Sequence, residues 1–327
     1  MDIKERFKEK IERINAALRS SLSSIENERL RKAMLHYPLA GGKRLRPITA
    51  MLVADAVSGS GERTIPFGVS LEMVHNFTLV HDDVMDNDTT RRGMRTVHVE
   101  YGLPEAILAG DALFAKAFEM VGSMAIDGER KSQLTTLLAK AVLVLAEGQQ
   151  MDMDSEKLDS VSSEAYLKMI ERKTAVLFSA AAQGGAIIAG APEALQESMF
   201  EFGRLIGLAF QIRDDILCLT GDPVRLGKPK GSDIRNGKKT LLVIYALETL
   251  KENDRSRLRE ILGKKDASEL EIEEAIRLIE AAGAIDRAQR VAGEMIGKAK
   301  ILLDDLPASE ARNLLRELAD YMISRDS

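Results

Sequence analysis

Leu71-Glu72-Met73-Val74-His75-Asn76-Phe77-Thr78-Leu79-Val80-His81-Asp82-Asp83-Val84-Met85-Asp86 is the stretch from which the rest of the chain can be read. Its apolar or weakly polar positions Leu71, Val74, Thr78 and Met85 recur at three, four and seven residues, which is the spacing of a helix. At roughly 100° per residue, Asp82 and Asp86 project from nearly the same face one turn apart, with Asp83 turned to the side. Two carboxylates so placed repel each other unless a positive charge lies between them. Hard oxygen ligands of this kind suit Mg²⁺, whose coordination is completed by substrate phosphates. An acidic, solvated helix surface is the plainer account of one such cluster. Here the cluster sits in an apolar stretch and is echoed by Asp214-Asp215-Ile216-Leu217-Cys218, which favours a metal. His75 lies seven residues before Asp82, within about 20° of the same face and about 10 Å along the axis, where it can serve a second anionic group.

Basic residues follow both clusters: Arg91-Arg92 after the first, Lys228 and Lys238 after the second. Gly41-Gly42-Lys43-Arg44-Leu45-Arg46-Pro47 concentrates three more cations behind a flexible glycine pair. Glycine lets backbone amides approach a phosphate, and a Lys with an Arg three residues on can converge on one diphosphate. Acidic clusters with basic neighbours point to a polyanionic substrate held through divalent metal.

These residues, with Leu71 to His75 running into Leu79 to Gly93, resemble the trans-isoprenyl diphosphate synthases, also called polyprenyl synthetases. Gly148-Gln149-Gln150-Met151-Asp152, Lys173-Thr174, Phe210 to Asp215, Gly227 to Asp233 and Gly237-Lys238-Lys239-Thr240 continue the match in the family's order, over about residues 35 to 245. The resemblance implies that Asp82 and Asp86 bind Mg²⁺ bridging an allylic diphosphate, with Asp214 on the opposite wall holding another ion. Asp83 and Asp215 are expected to act behind these ligands or through water. Arg91, Lys173, Lys228 and Lys238 would grip the allylic diphosphate, and Lys43, Arg46, His75 and Arg92 would hold isopentenyl diphosphate. Thr174 and Gln211 resemble the residues whose oxygens face the developing allylic cation. The segment from Gly227 to Gly237 reads either as a closing loop or as a solvated basic turn.

One position departs from the family: Cys218, the only cysteine, stands where a third aspartate would complete the second cluster. Soft sulfur is a poor Mg²⁺ ligand, so Asp214 keeps the ligand role and weaker Mg²⁺ affinity is expected there. Residues just upstream of the first cluster line the family's product pocket. An aromatic at Phe77 with the smaller Thr78 resembles archaeal-type geranylgeranyl diphosphate synthases, which implies a C20 product, with Val74 and Leu71 deeper in the pocket. Helix geometry puts Thr78 on the Asp82 face but Phe77 roughly 140° away, so Phe77 either gates a curved tunnel or packs against a neighbouring helix.

Eight prolines, no linker-like stretch, and helix periodicity from Lys131 to Glu147 and from Glu271 to Leu302 predict an all-α protein. The expected architecture is a single domain over residues 1–327, one large helical bundle around a central cavity, with Asn253 to Ser268 as an exposed connection. A formal charge of −5 argues against nucleic acid, and a lone cysteine fits a reducing interior. No apolar run reaches 18 residues and the charged start does not resemble a signal peptide, which predicts a cytoplasmic protein without a stable membrane anchor. The resemblance implies a homodimer. A class I terpene cyclase would need no isopentenyl site, against which Lys43, Arg46, His75 and Arg92 argue. A non-catalytic subunit of a heteromeric synthase would be expected to lack aspartates of the first cluster. Farnesyl or longer-chain synthases differ in the residues beside Phe77.

Overall fold

A computed structural model describes residues 3–222 and 230–325. Among these, helix dominates, and the only ladder is a two-residue hairpin pairing Thr90–Arg91 with Met94–Arg95. Contacts divide the chain into two compact units. The first comprises Met1–Val142, Leu177–Gly203 and Lys300–Tyr321; the second comprises Leu143–Val176, Arg204–Ala299 and Met322–Ser327.

The first unit is organised on the Ile65–Met85 helix, which starts with a proline in its first turn. Phe67, Val69, Leu71, Met73 and Val74 are all fully buried, so the helix is wrapped on most of its faces. The Lys8–Leu22, Leu45–Ser58 and Leu103–Gly122 helices pack around it. Burial ends at its C-terminal turn, where Met85 and Asp86 are exposed, so the first acidic cluster emerges from an immobilised core element. The Glu28–Leu39 helix packs on Leu103–Gly122 and is capped by Asn27, whose side chain accepts from Leu30 N at 3.0 Å.

In the second unit the apolar Leu241–Thr249 helix packs on Ser163–Ile170 and on Glu269–Ala281, burying Leu241, Leu242 and Val243. The periodic run from Glu271 to Leu302 is helical on both sides of Gly283 (φ 66°), as Glu269–Ala281 and Ala284–Leu302. One expectation is corrected here. The charged stretch after Asn253 is largely a helix, Glu252–Ile261, because Leu258 and Ile261 bury against a neighbour while its charges face out. A capping box, Ser268 with Glu271, starts the next helix.

Candidate active site

In the first unit the helix places Asp82 and Asp86 one turn apart, with the Asp86 amide donating to Asp82 O at 2.8 Å. Asp82 is half-buried and Asp86 exposed, whereas Asp83 points inward. Asp83 accepts from the Tyr37 hydroxyl and from Arg91, whose Nε and Nη2 lie 2.7 and 2.6 Å from Oδ1. Burial, and then this hydrogen bond, push the Tyr37 hydroxyl well above its ordinary pKa, so it stays a donor. Arg91 is thus committed to Asp83, and the inner carboxylate serves as a brace rather than an open ligand.

Arg92 and Gly93 form the two-residue turn of the hairpin, both with positive φ (53° and 75°), as a type I′ connection requires. That conformation is uncommon for a residue with a Cβ, and it presents Arg92 at the surface, where Nη1 donates to Gly41 O at 2.9 Å. The hairpin is thereby tied to the basic loop. In that loop Lys43 lies 5.7 Å from the centre of the Tyr321 ring and Arg46 stacks 4.6 Å over Phe178. Arg44, the third cation, turns inward instead: it donates to Glu72 at 2.6 Å, Pro38 O at 2.7 Å and Asn15 at 2.8 Å. His75 sits in the field of Arg46, Arg92, Arg91 and Arg44, and burial first, then these charges, hold its pKa well below the ordinary value. The imidazole is therefore neutral among cations, a strong invitation to an anion. Along the same helix Val74 is fully buried and Thr78 donates to His75 O at 2.8 Å. Phe77 meets Phe114 edge-on at 5.6 Å and His81 at 5.3 Å, so it does contact the neighbouring Leu103–Gly122 helix.

The second unit carries a single π turn, Glu171–Ala175, continuous with the flanking helices. Such turns recur at functional sites, and this one holds Lys173 and Thr174. Gly148 makes room for it: a Cβ there would fall 2.3 Å from Lys173 N. Asp152, four residues on, accepts from Lys173 Nζ at 2.6 Å and has Lys238 Nζ at 3.7 Å. Burial would raise the Asp152 pKa, but the two lysines outweigh it and hold the carboxyl below its ordinary value. Lys228 lies outside the described residues, as does the Gly227 end of the expected closing loop.

A hydrogen-bonded chain runs from the π turn into the second cluster. Thr174 Oγ1 donates to Gln211 Oε1 at 2.9 Å, Gln211 Nε2 donates to Asp215 Oδ1 at 3.0 Å, and the Tyr166 hydroxyl donates to Asp215 Oδ2. Because Asp215 takes the amide N–H, Gln211 turns its carbonyl oxygen towards Thr174, and two electron-rich oxygens lie side by side. Burial, reinforced by Asp233, pushes Asp215 up to about 8. Asp214 is more open and accepts from Arg325 at 2.7 Å. Cys218 is 3.5 Å from Ser232 Oγ, and burial with nearby Asp233 pushes its thiol up to about 12, so the sulfur stays protonated.

Among the described residues no group of three or more His, Cys, Asp or Glu side chains could hold a metal ion alone. The donor chemistry nonetheless fits Mg²⁺, which commonly uses one or two carboxylates plus substrate phosphates: Asp82 and Asp86, one helical turn apart, offer hard carboxylate oxygens. Sequence reasoning missed Tyr37, Tyr166 and Arg325, which lie far along the chain from the residues they hold and carry no local signal. Glu72, Asp152 and Gln149 were visible only as parts of matching motifs. Gln149 is buried with both amide atoms lacking a partner among the described residues.

These features are housed in the all-helical fold of the solved isoprenyl diphosphate synthases. The chain superposes on a geranylgeranyl pyrophosphate synthetase from Pyrococcus horikoshii with a TM-score of 0.92 and 43% identity, covering 99% of this chain and 98% of that one. A geranylgeranyl pyrophosphate synthase from Corynebacterium glutamicum, solved with isoprenyl diphosphate and magnesium, matches with a TM-score of 0.85 at 28% identity over 99% and 98% of the two chains. A geranylgeranyl diphosphate synthase from Methanosarcina mazei is 41% identical over 100% of this chain and 99% of its own length. The family model for polyprenyl synthetase matches residues 27–279, and the chain belongs to that family.

Proposed function

We propose that this chain is a prenyltransferase that condenses isopentenyl diphosphate with an allylic diphosphate, head to tail and all-trans, giving geranylgeranyl diphosphate (C20). The observation that carries this reading is the pair of adjacent polar constellations in the first unit: Asp82 and Asp86 one turn apart, and neutral His75 among Arg46, Arg92, Arg91 and Arg44. A metal-bound diphosphate suits the first, and a second diphosphate suits the other.

In this mechanism Lys43, Arg46, His75 and Arg92 hold isopentenyl diphosphate, Lys173, Lys228, Lys238 and Arg91 hold the allylic diphosphate, and Asp82, Asp86 and Asp214 would hold its Mg²⁺. Arg91 does so after exchanging part of its pairing with Asp83. Mg²⁺ held by those carboxylates would supply charge neutralisation for the departing diphosphate. The lysines stabilise that same charge, the allylic carbon–oxygen bond breaks, and the bonding pair leaves with the diphosphate. Thr174 Oγ1 and Gln211 Oε1, fixed by Asp215, face the allylic cation. The alkene of isopentenyl diphosphate donates its π electrons to that cation. A proton then passes to the released diphosphate, leaving a new allylic diphosphate five carbons longer. Phe77, Thr78 and Val74 bound the space that the growing chain fills.

The chain works as one catalytic domain and as a homodimer. Leu103, Ile107, Leu108 and Phe114 are exposed along one helix and supply an apolar surface for a second copy. No described helix is long and apolar enough to cross a membrane, and a cytoplasmic setting suits a diphosphate substrate. The test is mass spectrometry of products made from isopentenyl diphosphate with C5, C10 and C15 primers at several Mg²⁺ concentrations. A C20 product from all three supports the reading, a longer or shorter product revises the pocket floor, and no elongation at saturating Mg²⁺ overturns it.

A further inference from the structure

The last described residue carries a charge for which the reaction above has no use. Arg325 follows the Glu310–Ser324 helix, and its side chain is 3% exposed against 40% for the Asp214 carboxylate it contacts. Its Nη2 donates to Asp214 Oδ1 at 2.7 Å and to Phe210 O at 2.9 Å, its guanidinium stacks 3.9 Å over the Phe210 ring, and its Nε donates to Met322 O at 3.4 Å. Arg213 in turn donates twice to the Arg325 carbonyl, at 3.0 and 2.8 Å. The guanidinium is fixed from several sides and cannot lose its proton.

Within the run from Asp214 to Cys218 little further negative charge is available, and the nearest carboxylate outside it, Asp233, acts on Asp215 and Cys218. Asp215 is buried and takes hydrogen bonds from Tyr166 and Gln211, and the third position is a protonated thiol at Cys218. Only Asp214 is open, and a univalent cation already sits on one of its oxygens. We propose that Arg325 is a built-in counter-ion that keeps Asp214 from holding a divalent cation until a diphosphate arrives, so that metal binding at the second cluster is coupled to substrate. The proposal rests on Asp214 being a metal ligand.

Two effects compete when Arg325 is removed. Asp214 loses a partner that fixes its rotamer, which weakens binding slightly. A divalent ion also escapes repulsion from a charge held against the same carboxylate, which strengthens binding more, because that repulsion scales with both charges at short range. Affinity without diphosphate should therefore rise.

The experiment titrates Mn²⁺ into the purified full chain, following free Mn²⁺ by electron paramagnetic resonance, with and without inorganic diphosphate. Arg325→Gln is expected to tighten diphosphate-free binding at one site at least tenfold and to shrink the enhancement that diphosphate gives. Arg325→Lys, which keeps the charge, should stay near the parent and serves where the glutamine variant fails to fold. The added Asp214→Asn change should abolish the gain. Unchanged or weaker Mn²⁺ binding in Arg325→Gln, or the same tightening in Arg325→Lys, overturns the counter-ion. If Asp214→Asn alone leaves diphosphate-coupled Mn²⁺ binding intact, the metal-ligand assignment itself fails, which is a separate result.

Discussion

Replacing Glu72 by Ala should destabilise the protein and loosen the proposed isopentenyl diphosphate site together. Glu72 and Arg44 form an ion pair at 2.6 Å with side chains only 4% and 3% exposed, so solvent screening does little to soften it. Without Glu72, Arg44 keeps only neutral acceptors, Asn15 and Pro38 O. Breaking a buried pair while leaving its charge in place costs about 3–5 kcal/mol. Removing both charges, as in Arg44→Met with Glu72→Met, should recover about 2 kcal/mol or more of that loss, because the stranded guanidinium is what the single variant cannot tolerate. The assay is urea unfolding at one protein concentration, since association would otherwise shift the midpoint. Arg44 lies between Lys43 and Arg46 in sequence and anchors their loop, so the KM for isopentenyl diphosphate should rise about tenfold, equivalent to about 1.4 kcal/mol, with the allylic KM unchanged. A loss under about 1 kcal/mol in Glu72→Ala, or strict additivity in the double variant, would refute the reasoning.

Phe77→Ser should lengthen the product beyond C20 if the ring bounds the pocket; products no longer than the parent's, read by mass spectrometry, would leave Phe77 as packing for Phe114 and His81. Cys218→Asp adds a carboxylate beside Asp233 and Asp215, so the Mg²⁺ concentration for half-maximal turnover should fall while the melting temperature drops; an unchanged Mg²⁺ dependence removes position 218 from the metal's surroundings. Tyr166→Phe strips a donor from buried Asp215 and should cost about 1–3 kcal/mol in unfolding free energy, with a fall in turnover as Gln211 loses its fixed orientation. His75 has a folded-state pKa below its unfolded value of about 6.5, so its contribution is complete above that pH and is lost as pH falls through it, at about 1.4 kcal/mol per unit until the folded pKa is reached. Comparing the urea midpoints of parent and His75→Phe at pH 7.5 and 5.5 isolates that slope.

The sequence disclosed helix class and the helical face of the first cluster because both depend on local periodicity. Asp82 and Asp86 do lie one turn apart, as the spacing requires. Helix ends were harder: the break at Gly283 interrupts a run whose apolar spacing continues on both sides, and the Glu252–Ile261 helix hides its two buried residues among charges. What stayed invisible were partners distant in sequence. Tyr37 is 46 positions from Asp83 and Tyr166 is 49 from Asp215, yet each hydroxyl decides what its carboxylate can do. Arg44 and Arg91 looked like two more cations for a phosphate, and only the fold shows that each already has a carboxylate.

The π turn at Glu171–Ala175 has a consequence for how this site tolerates change in chain length. A π turn spends one residue more than an α-helix over the same rise, so it acts as a phase shifter between the segments on either side. Deleting a single residue there would restore an ordinary helix, and the cores up- and downstream could both keep their register. Thr174, however, would swing by about 100° and lose Gln211. A one-residue gap in this segment is thus a change that folding can absorb and chemistry cannot, and a natural chain carrying it would keep the architecture while giving up the paired oxygens.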